Sequence, residues 1–371
     1  MGGHNPTPMQ IPASSQAETA PAPHSSTVAG LEHLSNHRRH VRPVARTLER
    51  LPQTALVGHR MNSCATRLGL ALQQTTDERE VLGILSGWFC NARLCPWCEW
   101  RRTRAWRGRL IRGLAKFSEE HPTHRGIFLT LTVRNCPLEA TRDTLDHLHK
   151  SWNRLTKCSF FPTGYWLRRT EITLGSGPRG DDAPPGPRPS LWCTADVTAP
   201  DPQPDHSGPI QRHRNTTLPL YAHPHLHAVL LVPASYFGRG YVRQTEWARQ
   251  WMMAARLDYI PIVDVRPAKS RAGSPVLADA AVDAIREAAK YIAKSTDIAA
   301  MGDQVALLHN QLKRKRMISL STPLSRYVKS GDITHAEMLD GSEIYESGTP
   351  LQLAVAHWDA LLSTYQLTAL T

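Results

Sequence analysis

The chain has 371 residues, of which 41% are hydrophobic, and carries a formal net charge of +12 at pH 7. No apolar run approaches the roughly 18 residues of a membrane span, and the N-terminus lacks the basic-then-apolar order of a secretory signal, so we expect neither membrane insertion nor export. The excess of lysine and arginine favours a polyanionic partner such as nucleic acid. In the reducing cytoplasm expected for this chain, the seven cysteines favour metal binding or free thiols over disulfides.

The first segment, residues 1–50, is a polar tail rich in proline, serine and basic residues. Its low hydrophobicity, as in "IPASSQAETAPAPHSS", is typical of a chain that buries too little apolar surface to fold. We therefore expect this tail to be largely disordered.

Residues 51–120 carry four cysteines at a spacing that is typical of metal sites. The two thiolates of "CPWC" are separated by two residues and can grip one tetrahedral zinc ion. Two upstream cysteines would complete the site, although His59 could replace the first of them, and buried cysteines also behave as small hydrophobes. The predicted zinc ligands are Cys64, Cys90, Cys95 and Cys98.

An arginine-rich segment, "EWRRTRAWRGRLIRGLAKF", follows the cysteines directly. Its apolar residues form a stripe at helical spacing, which predicts a helix with a basic face suited to a phosphate backbone. The alternative is an ordinary solvated face, but few acidic residues balance the arginines. The predicted DNA-binding residues are Arg101, Arg102, Arg104, Arg107, Arg109 and Arg112.

Residues 121–320 alternate short apolar strands with helical patterns. The stretches "GIFLTLTV", "RRTEITL" and "IPIVDVRPA" are rich in β-branched residues and predict strands. Residues 176–216 are rich in proline and glycine and too long for a compact connection, so we interpret them as a flexible insertion. The order of strands and helices predicts an α+β fold with an antiparallel sheet.

The stretch "HPHLHAVLLV" places a histidine pair at the start of a predicted buried strand. Side chains alternate along a strand, so His225 and His227 project from the same face and can bind one divalent ion. His223 is a weaker candidate because Pro224 disturbs the beginning of the strand. The alternative is a buried strand that happens to begin with histidines.

Residues 277–296 predict a helix, since the stretch has many alanines and no internal glycine or proline. Glu287 and Tyr291 are four residues apart and so lie one turn from each other on one face. A tyrosine hydroxyl can attack a phosphodiester beside a metal, and a carboxylate can later activate water. Lys290 and Lys294 flank the tyrosine and could contact phosphate.

The C-terminal residues 321–371 end in "PLQLAVAHWDALLSTYQL", whose apolar residues are spaced as on an amphipathic helix. We therefore predict a helical C-terminal extension.

Three motifs follow one another along the chain: "FLTLTVRN", "HPHLHAVLLV" and "EAAKYIAK". Together they resemble the motifs of replication initiators from small rolling-circle plasmids, which belong to the HUH endonucleases (His, hydrophobic, His). The "CNARLCPWCEWRR" stretch is similar to the same subgroup, in which a glutamate precedes a single tyrosine by four residues. The resemblance covers about residues 60–320. It implies a central antiparallel sheet flanked by helices, with the histidines on a middle strand and the tyrosine helix beside it, after a small zinc-binding module.

The resemblance also implies roles for individual residues. His225 and His227 would be metal ligands, and Tyr291 would be the nucleophile that nicks the origin and forms a 5′-phosphotyrosyl link. Glu287 would direct the hydrolysis that ends the cycle. The motifs do not specify a third ligand; Glu171 in "RRTEITL" is our candidate, because a carboxylate beside two imidazoles suits Mn²⁺ or Mg²⁺.

The expected partners follow from this activity. They are single-stranded or cruciform origin DNA, a host DNA polymerase that extends the 3′-hydroxyl, and a separate host helicase, because the chain lacks a GxxxxGK[ST] phosphate loop.

Two alternatives remain open. An HUH transposase or relaxase also uses a tyrosine on single-stranded DNA, although Glu287 suits a replicator better. A non-catalytic, zinc-dependent DNA-binding regulator would account for the cysteines and arginines but not for the histidine pair.

Overall fold

The computed structural model describes most of the chain between residues 25 and 369. Within this part every pair of neighbouring strands is antiparallel, and the strands form two sheets with helices packed against them. The expected α+β class with antiparallel sheets is confirmed. The described residues are 25–74, 80–175, 221–238, 240–268, 298, 301–331, 333–334, 338 and 350–369.

The prediction of a disordered tail over residues 1–50 is wrong for residues 25–50, which form two helices, α1 (Ser25–Arg39) and α2 (Val41–Glu49). Helix α2 buries an apolar stripe at helical spacing, which a count of composition does not reveal because polar residues stand between the apolar ones. A third helix, α3 (Ala55–Asn62), packs beside α2. The buried residues of α2 are Val41, Val44, Ala45 and Leu48.

The first sheet joins the two ends of the described chain. Its strand order is β10-β9-β1-β2, and β9 pairs with β1 over seven residue pairs. Residues 51–120 and 321–371, which were expected to form separate parts of the protein, therefore contribute strands to one sheet. The strands are β1 (Arg67–Gln74), β2 (Glu80–Gly87), β9 (Pro350–Asp359) and β10 (Thr364–Ala369).

The predicted C-terminal helix is therefore wrong, because residues 350–369 form a β-hairpin. The Oδ1 atom of Asp359 accepts hydrogen bonds from the backbone N–H groups of Leu361 and Leu362 at 2.8 and 2.9 Å, which stabilises the turn. Both leucines are exposed in this turn rather than part of an apolar stripe. A short apolar segment fits the periodicity of a helix as well as that of a strand. Here the segment forms a strand because it pairs with β1.

The second sheet confirms the predicted strands "GIFLTLTV", "RRTEITL", "HPHLHAVLLV" and "IPIVDVRPA". Its order is β7-β3-β6-β5-β8, with the two-residue β4 also paired to β6, so the histidine strand is central. The strands are β3 (His124–Thr132), β4 (Cys136–Pro137), β5 (Trp166–Gly175), β6 (Tyr221–Pro233), β7 (Val263–Pro267) and β8 (Ile318–Leu320).

Different helices cover the two faces of this sheet. One face packs against α5 (Thr141–Leu155) and α6 (Gln244–Ala255), where buried tryptophans meet Leu226 and its neighbours. The other face packs against the long α4 (Pro96–Glu120), which is the arginine-rich helix, through Phe128 and other apolar side chains. A further helix, α7 (Gln304–Leu312), precedes β8.

Two predictions fall outside the described residues: the insertion at residues 176–216 and the helix at residues 277–296. Among the helices that the structure does describe, none is long and apolar enough to cross a membrane.

Helix α4 makes a close contact that a single methyl group should disrupt. A Cβ atom at Gly113 would lie 2.7 Å from the backbone oxygen of Tyr327 and would also clash with Val328. Although alanine favours helices more than glycine does, we expect Gly113→Ala to lower the free energy of unfolding by about 1–3 kcal/mol, the usual cost of overpacking.

Chemical denaturation measures this change. Lys116→Ala, at an exposed position one turn away on the same helix, is the matched control and should have little effect. A Gly113→Ala protein that is more stable than the wild type would contradict the observed packing.

Candidate active site

The antiparallel register brings three candidate metal ligands to one place. Glu171 on β5 pairs with His225 on β6, and Thr130 on β3 pairs with His227. Residues paired across a sheet point to the same face, and so do residues two apart on one strand. The carboxylate and both imidazoles therefore project from the face that α4 covers.

The atoms of this group are close enough to share one cation. The Oε2 atom of Glu171 lies 3.3 Å from Nε2 of His227 and 3.9 Å from Nε2 of His225. Ligands around one octahedral cation at about 2.1 Å lie about 3 Å apart, so these three side chains fit Mn²⁺ or Mg²⁺ with little adjustment. Three protein ligands would leave the remaining positions of such a cation to water or a phosphate oxygen.

Hydrogen bonds orient both imidazole rings. Nδ1 of His225 donates to the backbone oxygen of His223 at 3.1 Å, which leaves Nε2 of the neutral ring as the ligand atom. Nδ1 of His227 lies 3.1 Å from the hydroxyl of Thr130, so its Nε2 also points toward Glu171. Such outer partners commonly hold metal-binding histidines in the correct tautomer.

The environment favours the ionisation states that bind a cation. Burial lowers the pKa of His225 to about 4, and the neighbouring His227 adds to this effect, so the His225 ring is neutral at pH 7. Burial opposes ionisation of Glu171, but its hydrogen bond to His227 and the nearby guanidinium of Arg169 help to keep the pKa of this carboxyl below its usual value. A neutral imidazole and a carboxylate are the forms that coordinate metal.

His223 occupies a different environment from the other two histidines. Its Nδ1 atom lies 2.6 Å from Oδ1 of Asn135, and the ring is half-buried. His223 is outside the group of three that can share a cation. This position agrees with the weaker role that Pro224 suggested.

The four predicted zinc ligands also lie together. The sulfur of Cys64 lies 3.5 Å from that of Cys98 and 3.7 Å from that of Cys95, and Cys90 and Cys98 are 3.6 Å apart. A tetrahedral zinc ion with Zn–S bonds of about 2.3 Å requires sulfurs about 3.8 Å apart, so this cluster fits zinc closely. His59, the alternative ligand, is exposed and lies outside the cluster.

The surroundings of the cysteine cluster would favour a bound cation. All four cysteines are buried, and burial raises the pKa of the Cys95 thiol. Four thiolates cannot share this space without a compensating positive charge. Helix α4 begins immediately after Cys95, and the partial positive charge of a helix N-terminus favours thiolates there.

The six arginines predicted to form one DNA-binding face do not share an environment. Arg101 and Arg109 are 4% exposed and donate hydrogen bonds to the backbone oxygens of Met338 and of Lys329 and Gly331. These two side chains brace neighbouring segments of the fold, and a contact of either with DNA stays a prediction. Arg102, Arg104 and Arg107 are half-buried, and Arg112 is exposed.

Arg169, on the sheet face that carries the candidate metal ligands, was not predicted from the sequence. Arg169 is almost fully buried, pairs across the sheet with His227, and forms an ion pair of 3.6 Å with Glu99 on α4. Arg169 lies two residues before Glu171 on a predicted strand, so its side chain must point to the same face as that of Glu171. This spacing was the signal in the sequence that could have identified it. The ion pair connects the helix after the cysteines to the candidate active site.

The four residues predicted for the tyrosine helix lie outside the described part of the chain. The structure therefore does not place them relative to the metal ligands. They are Glu287, Lys290, Tyr291 and Lys294.

Comparisons with known proteins identify the family. Residues 81–366 match the family model Rep_1, described as "Replication protein". A "Protein rep" from Lactiplantibacillus plantarum is 31% identical over 303 residues, covering 76% of this chain and 80% of the relative. A "Protein rep" from Streptococcus pneumoniae serotype 2 is 27% identical over 311 residues, covering 80% and 81%.

A "Replication protein" from Staphylococcus aureus is 24% identical over 264 residues, which are 66% of this chain and 92% of the relative. No solved structure matches the chain. The match to the family model spans well over half of the sequence and includes the histidine strand and most of the cysteine cluster. The chain therefore belongs to the Rep_1 family of replication proteins, as its resemblance to plasmid replication initiators predicted.

Proposed function

We propose that this replication protein is a site-specific nickase that initiates rolling-circle replication of a plasmid. The observation that carries the proposal is the group of Glu171, His225 and His227 on the middle of an antiparallel sheet. A DNA-binding regulator has no need for a carboxylate and two oriented imidazoles on one face of the sheet. The chain's membership in a family of replication proteins supplies the biological setting.

The three side chains would hold Mn²⁺ or Mg²⁺, with the mixed nitrogen and oxygen ligands favouring manganese. When bound, the cation would polarise the phosphodiester that is to be cleaved. Glu171 contributes the negative charge of the site, and His225 and His227 contribute neutral ligands whose rings are held by His223 and Thr130.

Tyr291 is the proposed nucleophile. Its hydroxyl oxygen would attack the phosphorus, lose its proton, and form a phosphotyrosyl bond to the 5′ side while the 3′ oxygen leaves. The released 3′-hydroxyl would prime a host polymerase, and a separate helicase would open the duplex. Glu287 would accept a proton from the water that later hydrolyses the phosphotyrosyl bond, and Lys290 and Lys294 would contact the phosphate.

The cysteine cluster is proposed to hold a structural zinc ion. All four ligands are protein sulfurs and buried, so no coordination position is open to a substrate. The ion would fix the beginning of α4 and, through Glu99, the position of this helix against the sheet.

The nucleophile can be tested with origin single-stranded oligonucleotides and Mn²⁺. We expect wild-type protein to form a covalent DNA adduct, and Tyr291→Phe to bind the same DNA without any adduct, because only the attacking oxygen is removed. Denaturing gels with labelled DNA measure both species. Binding without nicking by the wild type, in every divalent metal tried, would leave the regulator as the better explanation.

Glu287→Ala, in the same assay, should still nick but accumulate the adduct. Normal turnover by this variant would contradict its hydrolytic role.

The hydroxyl of Thr130 should matter for metal affinity. Thr130→Val keeps the shape of the side chain but removes the oxygen beside Nδ1 of His227. We expect Mn²⁺ binding to weaken about 10-fold, the lower end of the effect of losing such a partner. Titration calorimetry measures it, with Thr130→Ser, which keeps the hydroxyl, as the control. Equal affinities for all three proteins would exclude this orienting role.

Zinc content tests the cysteine cluster. Elemental analysis should find one zinc per wild-type chain and clearly less in Cys98→Ser, because three sulfurs bind zinc more weakly than four. Cys158→Ser is the matched control, since Cys158 is exposed and outside the cluster. Unchanged zinc in the Cys98 variant would argue against the site.

A further inference from the structure

A cavity of about 200 Å³ lies between α4, β5 and β8, beside the candidate metal ligands. Four arginines and one glutamate are the charged side chains of its lining, so its formal charge is +3. Serine and threonine side chains and Trp106 complete much of the remaining wall. The charged residues are Arg93, Glu99, Arg102, Arg169 and Arg316.

Arg169 places hydrogen-bond donors without acceptors in the wall of this cavity. The residue is 1% exposed, and its Nε and Nη2 atoms have no hydrogen-bond partner among the described residues; Glu99 approaches Nη2 only to 3.6 Å. The hydroxyl of Thr103, also in the lining, is buried without a hydrogen bond. Buried donors without acceptors are costly, so these groups favour a ligand with several acceptor oxygens.

Glu99 does not neutralise the cavity. Its carboxylate is shared between Arg169 and Arg102, the latter at 3.3 Å. Arg316 is exposed and contributes a further positive charge at the rim. A phosphate group matches this arrangement, because its oxygens can accept paired hydrogen bonds from guanidinium groups.

The cavity lies next to the candidate active site. Arg169 precedes Glu171 by two residues on the same face of β5, a distance of about 6.6 Å along the strand. Arg169 also pairs across the sheet with His227. A strand of DNA whose phosphate lies against Glu171 and the histidines would therefore extend a neighbouring phosphate toward Arg169.

We propose that this cavity binds a backbone phosphate of single-stranded DNA, close in sequence to the phosphate that is cleaved. The proposal takes its ligand, single-stranded DNA, from the proposed nicking function, but its test does not require nicking. The volume is below the roughly 300–1,000 Å³ of ordinary small-molecule sites, which suits one phosphate group better than a whole free nucleotide. Binding there would hold the DNA in register with the metal ligands.

Oligothymidylate tests the site without any nicking. Its affinity is measured by fluorescence anisotropy over a range of salt concentrations, with no added divalent metal. Loss of one phosphate contact should reduce the slope of log affinity against log salt by about 0.7 for single-stranded DNA. We expect this reduction in Arg316→Gln. Arg314→Gln, which removes the same charge at an exposed position outside the lining, should change the slope much less.

Equal slopes for the two variants would overturn the proposal, because the arginines would then act only through net charge. Calorimetry with thymidine 5′-monophosphate separates the other source of phosphate. If the free nucleotide binds the wild type but not Arg316→Gln, while the DNA slopes remain equal, the cavity is a nucleotide site and the proposal fails.

The bound phosphate can be located with a series of origin oligonucleotides, in each of which one phosphate is replaced by a neutral methylphosphonate. We expect one substitution near the nick to weaken binding to the wild type several-fold but to have little effect on Arg316→Gln. Uniform effects at all positions would contradict a dedicated site. Failure of nicking in the Tyr291 experiment would leave the salt-slope comparison intact, so the two proposals can fail separately.

Discussion

The candidate active site depends on the antiparallel register between β6 and its neighbours. Glu171 pairs with His225, and Thr130 pairs with His227, so the carboxylate, both imidazoles and the orienting hydroxyl share one face. A slip of one residue would turn β5 or β3 over and remove its contribution from the site. The aliphatic end of β6, buried on both faces, makes such a slip unfavourable because it would expose or overpack those side chains.

The long helix α4 links the two candidate metal sites. Its beginning contributes Cys95 and Cys98 to the cysteine cluster, and its Glu99 pairs with the buried Arg169 of β5. Breaking a buried ion pair leaves an uncompensated charge in the interior, so this contact strongly favours one position of the helix on the sheet. The arginine-rich composition of α4 thus serves two purposes: some guanidinium groups brace the fold, and Arg102 lines the cationic cavity.

The sequence was most informative where a pattern had only one interpretation. The strand around Glu171 is rich in β-branched residues, the strand of His225 continues in an aliphatic run, and the positions of both were predicted well. The segment 350–369 was mispredicted because its apolar spacing fits a helix as well as a strand, and its pairing partner β1 lies almost 300 residues earlier. The helices of residues 25–50 were missed because composition averages over a narrow apolar stripe.

By itself the sequence determined the types of the candidate metal ligands and their local spacing. Two histidines two residues apart on a strand and four cysteines around "CPWC" follow from the periodicity of the chain and the geometry of metal ligands. Only the tertiary structure decided which carboxylate meets the histidines, that Cys64 rather than His59 lies in the cysteine cluster, and that Arg169 lines a cationic cavity. These outcomes depend on contacts between distant segments, and long-range packing is not encoded in any local pattern.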